Sequence, residues 1–436
     1  MTNQHATDQR ATAILSPDLD DVDAARSWRD SFADVFGVSR GTRAELEAVL
    51  PTWRGQRLTG VQDGGRWVAT FRSWRGSSTV PGGALTGHDP LDARSVPSEL
   101  VSTVSVSPTH RRRGLLTALM RDCLDHARAT GAVVATLFAS ESAIYGRYGY
   151  GVASEVADLT VAVPQARSWS VASTAAPGRL RLVEDDDLLD VGPDLFEAAR
   201  LRMPGAVGRN EVGWLRLLER IPAPEADTAR PPRLRVVHEG QDGTVDGYAR
   251  VGLDERWEDG GPAYTATVHD LTALDPRVAA VLWRFVLDLD LVRSVTAEHR
   301  SPADLLRHLP VDGRAVRASV RDGHWWRVLD TPALLSTRRW SAPGRLVLQV
   351  VDPDGPAGGT WRLDVDEDGH AEVVPTDALP DLTLPVHAVP AVATGVRPLP
   401  LLAAAGGLDE HRPGGVALLE RLAHVAPVAL AGVQGF

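Results

Sequence analysis

Between Val104 and Met120 the chain reads VSVSPTHRRRGLLTALM, a basic turn with one glycine set between a strand-like run and an apolar helix-like run. That order suits a pyrophosphate. The first-turn N–H groups of a helix have no intrahelical partners and point outward, and the aligned peptide dipoles add partial positive charge there. Gly114 lets the backbone approach an anion closely. Arg112 and Arg113 can add charge-assisted bonds to phosphate oxygens. Three arginines alone would read as a solvated cluster; strand, glycine and helix in register make them an anion site.

A second group of reactive side chains, Tyr145, Tyr148 and Tyr150, crowds one short stretch after an apolar run. By composition alone each of these tyrosines reads as a packed aromatic rather than a proton donor. Cys123 falls on the apolar stripe of a helix and reads as a small core residue. His110 and His126 lack metal-ligand spacing, and neither a G-x-S-x-G elbow nor a complete P-loop occurs. No metal is implied.

The elements around these residues are predicted from periodicity. Leu100 to Val106 reads as a strand closed by Pro108, and Gly114 to Ala129 as a helix whose stripe is Leu115, Leu116, Leu119, Met120, Cys123, Leu124 and Ala127, stopped at Gly131. Ala132 to Phe138, almost continuously apolar, reads as a strand buried on both faces, which completes a βαβ unit. Upstream lie a helix over Ala24 to Phe36, a strand over Arg66 to Phe71, and a loop rich in Gly, Ser and Pro from Gly76 to Ser98.

Val163 to Gly178 reads as a linker, after which a second α/β pattern starts at Arg179 to Val183. Tyr264 to Leu271, Arg277 to Leu289 and Val292 to Ala297 repeat the strand, helix, strand order, but Ala273 to Arg277 replaces the basic turn, so this copy should not bind phosphates. Beyond about Val316 the strands Arg345 to Val351, Trp361 to Val365 and His370 to Val374 form a meander joined by Asp-Gly turns. Helical pieces at Val389 to Thr394, Leu401 to Ala405 and Val416 to Val425 complete a third, α+β part.

Bulk properties bound these readings. With 436 residues, 43% apolar and 24% charged, the chain is of globular composition and long enough for two to three domains. A net charge of −11 disfavours a nucleic-acid or anionic-membrane footprint. The one cysteine excludes an intrachain disulfide. The first twenty residues lack the apolar core of a signal peptide, and no run approaches the ~18 apolar residues of a membrane span. The expected location is the cytoplasm.

The Val104 to Met120 passage resembles motif A of the GNAT superfamily of N-acetyltransferases, whose core is Arg or Gln, two residues, Gly, one residue, Gly or Ala. Arg111 and Gly114 match; Leu116 departs from that core but agrees with the Arg-Arg-Arg-Gly-Leu-Leu form of one branch, the Eis (enhanced intracellular survival) family. Ser140-Glu141 followed by Ile144-Tyr145-Gly146-Arg147-Tyr148-Gly149-Tyr150-Gly151 is similar to the Eis run Ser-Glu-x-x-Ile-Tyr-Gly-Arg-Phe-Gly-Tyr-Gly, with Tyr148 replacing Phe. The three-part order and the terminal Phe436 also resemble that family.

The resemblance implies tandem GNAT folds, each a mixed β-sheet with flanking helices, and a sterol-carrier-like α+β domain. These would be a catalytic domain over residues 1–165, a degenerate copy over 175–310, and a third domain over 316–436. It implies an acetyl-CoA-dependent N-acetyltransferase, with transfer to the primary amine of a small polyamine-like or aminoglycoside-like substrate by direct attack. Val104, Ser105 and Val106 would hold the pantetheine arm; Arg112, Arg113, Gly114, Leu115, Leu116 and Thr117 the phosphates; Ser140 and Glu141 would complete the cofactor site. Tyr145 is the implied acid, the Phe436 terminal carboxylate the implied base, and Asp34 an acidic substrate-pocket position. Gly435 stands where some members carry an acid. Members assemble as hexamers. The rival expectation is a non-catalytic CoA- or lipid-binding protein.

Overall fold

The computed structural model describes residues 13–82, 94–169, 176–221, 233–353, 355–426 and 430–435. The chain divides into two units: Met1–Arg75, Glu99–Gly131 and Glu219–Ala226 form the first, and Gly76–Ser98, Ala132–Leu218 and Asp227–Phe436 the second.

In the first unit, Asp21 caps α1 (Val22–Phe36) and Gly37, in the left-handed region at φ 65°, closes it. The helix buries Ala25, Trp28 and Ala33, and the Trp28 indole N–H donates to the Thr59 carbonyl at 2.9 Å. α2 (Arg43–Trp53) follows, capped by Thr42. β1 (Arg57–Asp63) pairs antiparallel with β2 (Arg66–Val80), and β3 (Arg94–Val106) comes next in sheet order. α3 (Leu115–Ala129) buries Leu115, Leu119, Met120, Cys123 and Ala127, with Leu116 and Leu124 half-buried, so the apolar stripe faces inward as its spacing requires.

β2 and β3 are longer than the composition suggests. The loop expected over Gly76 to Ser98 is strand as far as Val80 and again from Arg94. Ser78, Thr79 and Ser98 of this stretch are buried, and the Ser98 hydroxyl donates to Ser78 Oγ at 2.8 Å. Hydroxyls that find such partners lose their preference for turns.

The second unit begins with β4 (Val134–Phe138), α4 (Ser142–Tyr145), β5 (Tyr150–Val152) and β6 (Glu155–Ala162). The expected linker opens instead as a short helix, α5 (Val163–Ala166), with Val163 and Ala166 buried. β7 (Gly178–Leu182), α6 (Asp185–Arg200), α7 (Glu211–Leu217), β8 (Arg233–Gly240) and β9 (Val245–Asp254) precede a small hairpin, β10 (Trp257–Glu258) and β11 (Gly261–Pro262). β12 (Tyr264–Ala273), α8 (Pro276–Leu287) and β13 (Val292–Arg300) supply the repeated strand–helix–strand, followed by β14 (Val316–Asp322) and β15 (His324–Val328). The seven-stranded sheet runs β14-β6-β13-β12-β9-β8-β7, and β12/β13 pair in parallel. β15 lies between β4 and β5, antiparallel to both.

α9 (Thr331–Thr337), β16 (Gly344–Val351), β17 (Gly359–Val365), β18 (Ala371–Pro375), β19 (Leu382–Pro385), α10 (Val389–Thr394), α11 (Leu399–Ala404) and α12 (Gly415–Ala423) build the last part. Its core is continuous with the β4-β15-β5 strands: Val134, Trp326 and Val328 share one buried cluster with Leu346, Leu363 and Val386. Arg338, wholly buried and stacked 4.2 Å from the Trp340 ring, donates to the carbonyls of Val392, Ala393 and Ala423. Carbonyls left over at the ends of α10 and α12 are satisfied in this way.

Candidate active site

β3 carries a kink at Thr103, a β-branched residue at φ 55°. Thr70 Oγ1 donates to the Thr103 carbonyl at 3.0 Å and lies 2.7 Å from Ser105 Oγ, holding the kink from the neighbouring strand. Ser105 is buried and Val104 and Val106 half-buried. The chain then turns through Pro108–His110, where Ser107 N–H bonds to the Val68 carbonyl at 2.8 Å. His110 is pinned between Asp63 Oδ2, 2.9 Å from its Nε2, and the Thr109 hydroxyl, 2.8 Å from its Nδ1.

Two left-handed residues, Arg112 at φ 62° and Gly114 at φ 78°, bring the chain into α3. A Cβ on Gly114 would meet no atom within 4 Å, so backbone conformation rather than space demands glycine. Gly114 is the N-cap, and no side chain caps the first N–H groups of α3. The N-terminal turn, Leu115 to Thr117, therefore presents donors and dipole to an anion. Arg111, Arg112 and Arg113 are exposed around it. Arg113 donates to the Thr109 carbonyl at 3.0 Å, and neither Arg111 nor Arg112 forms an ion pair among the described residues.

The second copy is built oppositely. Pro276 opens α8, and the Asp275 carboxylate takes the Arg277 N–H at 2.7 Å while pairing with the Arg277 guanidinium. A carboxylate already occupies the start of this helix.

Ser140, Glu141 and Tyr145 come together on the turn from β4 into α4 in the second unit. Ser140 and Glu141 are exposed, whereas Tyr145 is buried and meets the Tyr150 ring edge-on at 5.9 Å. Burial pushes the Tyr145 phenol up to about 12; the Glu141 charge adds to the shift and a hydrogen bond with Ser140 opposes it. The glycines of this run are architectural. Gly149 lies at φ 78°, and a Cβ on Gly151 would fall 1.8 Å from the His387 carbonyl oxygen. Only glycine admits that approach.

Asp34, on α1 in the first unit, is exposed and held by Arg40 in a two-pronged bond, with Nε–Oδ1 and Nη2–Oδ2 both 2.7 Å. That bond lowers its pKa. Phe436 lies outside the described residues. The segment before it is docked: Leu430, Ala431 and Val433 are buried, and Gln434 meets Arg209 and His324. Sequence reading missed this group, because its members lie far apart and share no motif. Among the described residues no three His, Cys, Asp or Glu side chains gather to hold a metal, and no helix is long and apolar enough to cross a membrane.

Comparison with known proteins agrees with this geometry. Residues 21–153 and 205–328 each match a family described as an acetyltransferase (GNAT) domain, and residues 331–430 match a sterol carrier protein domain. An uncharacterized N-acetyltransferase of Streptomyces avermitilis is 38% identical over 376 residues, covering 84% of this chain and 85% of that protein. N-acetyltransferase Eis of Mycobacterium tuberculosis is 33% identical over 332 residues, covering 73% of this chain and 77% of that protein. The crystal structure of Eis1 from Mycobacterium abscessus superposes with a TM-score of 0.75 at 27% identity, over 98% of this chain and 99% of that one. Two GNAT folds, the first helix entered without a side-chain cap and its counterpart capped by Asp275, followed by a sterol-carrier-like domain and joined by these relatives, place the chain in the Eis family of GNAT N-acetyltransferases.

Proposed function

We propose that the enzyme transfers the acetyl group of acetyl-CoA to a primary amine of a small polyamine-like or aminoglycoside-like substrate, by direct attack on the thioester. The observation that carries this reading is the uncapped start of α3, entered through left-handed Arg112 and Gly114. Arg112, Arg113, Gly114, Leu115, Leu116 and Thr117 bind the diphosphate, Val104 to Val106 hold the pantetheine arm through backbone groups, and Ser140 and Glu141 complete the cofactor's surroundings. Asp34 draws in a polycationic amine, which takes the place of Arg40 on its carboxylate. The protein works as a homohexamer in the cytoplasm, as family membership suggests. GNAT membership favours this over the non-catalytic CoA- or lipid-binding alternative.

The amine lone pair attacks the thioester carbonyl carbon, and the C–S bond breaks as the N–C bond forms. The ammonium proton goes to the terminal carboxylate of Phe436; the thiolate takes the Tyr145 proton. A phenol at about 12 is a weak acid against a thiol of about 8.5 in water, a gap of roughly 5 kcal/mol. A thiolate released into a dry site is a stronger base than that. Burial raises thiols in this way elsewhere in the chain, where Cys123 is pushed up to about 12. Loss of water around the thiolate narrows the gap that the Tyr145 proton must cross.

Thiol release from acetyl-CoA across a panel of amines tests the assignment. Tyr145→Phe and a chain lacking Phe436 should each lower kcat by about 100-fold or more, in the range of lost acid–base catalysis. Unchanged rates would remove those roles, and no calorimetric heat with CoA would remove the cofactor site.

A further inference from the structure

The parallel pairing of β12 with β13 runs only from Tyr264/Val292 to Val268/Ala297. Beyond it the strands are joined by a third piece of chain, the C-terminal tail. The Ala273 N–H, at the end of β12, donates to the Leu430 carbonyl at 2.8 Å, and the Val433 N–H donates to the His299 carbonyl of β13 at 2.7 Å. His299 holds a left-handed φ of 54° at a break in the β13/β6 register. Such strain persists where surroundings over-determine it. In the first copy the equivalent strand end is Val104 to Val106, the residues assigned above to the pantetheine arm.

Gln434 is held at three atoms. Its Oε1 accepts from Arg209 Nε at 2.6 Å, its backbone carbonyl accepts from His324 Nε2 at 2.8 Å, and its Nε2 donates to the Gly435 carbonyl. Arg209 is itself immobilised. It pairs with buried Asp270 at 2.6 Å, Tyr248 donates to the same carboxylate at 2.8 Å, and the guanidinium stacks 4.1 Å from Phe196 and 4.5 Å from Trp214. A preorganised guanidinium of this kind loses little entropy on making one more bond.

We propose that the second acetyltransferase-like domain, lacking an anion turn, serves as a socket for the chain's own C-terminal tail, with Arg209 and His324 as positioning residues that hold Gln434 and so set the terminal carboxylate. The proposal rests on the reading of that carboxylate as the base.

Its test uses Gln434→Ala in the full-length enzyme, which leaves the Arg209–Asp270 pair intact, alongside a chain lacking Phe436. Hydrogen exchange at tail amides 430–435 should quicken at least tenfold, while kcat falls about tenfold at unchanged KM for acetyl-CoA. Added formate, a small diffusible base, should restore part of the rate. His324→Ala, which removes the donor to the tail carbonyl, should quicken the same exchange, and His324→Gln, which restores a donor, should slow it again. Unaltered exchange and kcat in Gln434→Ala would overturn the socket. A loosened tail with normal kcat, while loss of Phe436 abolishes turnover, would overturn the positioning role alone. Normal kcat in both chains would overturn the carboxylate as base, and the positioning role with it.

Discussion

The Asp34 carboxylate meets Arg40 through two bonds of 2.7 Å, yet both side chains are more than half exposed. An exposed pair of this sort is easily exchanged for a competing cation. If Asp34 receives the amine, Arg40→Ala should lower KM for polycationic amines a few-fold without changing KM for a monoamine; equal effects on both would detach Asp34 from recognition. His324 shows the opposite environment. Burial lowers its pKa to about 4 from 6.5, against the pull of the Gln434 carbonyl. It is therefore neutral in the folded protein, with one ring hydrogen to donate and the carbonyls of both Gln434 and Gly205 beside it. Between pH 4 and 6.5 the unfolded chain binds the extra proton, so stability rises with pH across that window. The contribution is full above 6.5, reaches roughly 3 kcal/mol, and is lost as pH falls towards 4. His324→Gln should flatten that part of the stability profile, measured as chemical denaturation midpoints at pH 4.5, 5.5 and 7; an unchanged slope would mean that other groups supply it.

Strain in the turn before α3 makes a separable prediction. Arg112 is a non-glycine residue at φ 62°, at a cost of about 1–2 kcal/mol. Arg112→Gly relieves that cost and adds freedom to the unfolded chain worth about 0.4–1 kcal/mol. Tm should stay level or rise slightly while CoA affinity falls about tenfold; a fall in both would make Arg112 a fold residue. This turn was legible in the sequence because strand, basic residues, glycine and apolar stripe are contiguous, so local rules suffice. The tyrosine run was legible too, although why Gly151 is glycine required the His387 carbonyl packed against it. Partner choice among strands was not legible. β15 pairs Trp325 with Leu137 on one side and Val152 on the other, across more than a hundred and seventy residues of chain. No periodicity encodes such a partner, because any half-buried strand offers the same alternation. The tail socket failed for the same reason: Arg209, Asp270 and Gln434 are joined only by folding.

At the scale of the whole chain, the absence of one residue type gains meaning from the chemistry. Arginine fills all 46 of the lysine and arginine positions, and no lysine occurs. A guanidinium stays protonated and delocalised at neutral pH and does not attack a thioester, whereas a lysine amine near an acetyl donor would. The α-amino group, which titrates at ~7.7–8 in a simple peptide, is then the one ordinary amine nucleophile of the chain. Cys123 offers no thiol route, since it is fully buried and its pKa is pushed up to about 12. An N-acetyltransferase without lysine is thus spared acetylation of its own side-chain amines, and its net charge of −11 stays nearly constant through turnover. Prolonged incubation with acetyl-CoA and no acceptor should add at most one acetyl group to the intact mass, located at the α-amino group. Arg147→Lys provides the positive control: Arg147 is exposed, two residues from Tyr145, with its guanidinium 5.9 Å from the Tyr148 ring. That lysine should acquire a second acetyl group, assigned by peptide mass mapping, faster than a lysine introduced at Arg345 in β16. Several acetyl groups on the unaltered chain would show that other side chains accept them, and equal rates at the two lysines would show that the reaction is with free acetyl-CoA rather than with the enzyme's own site.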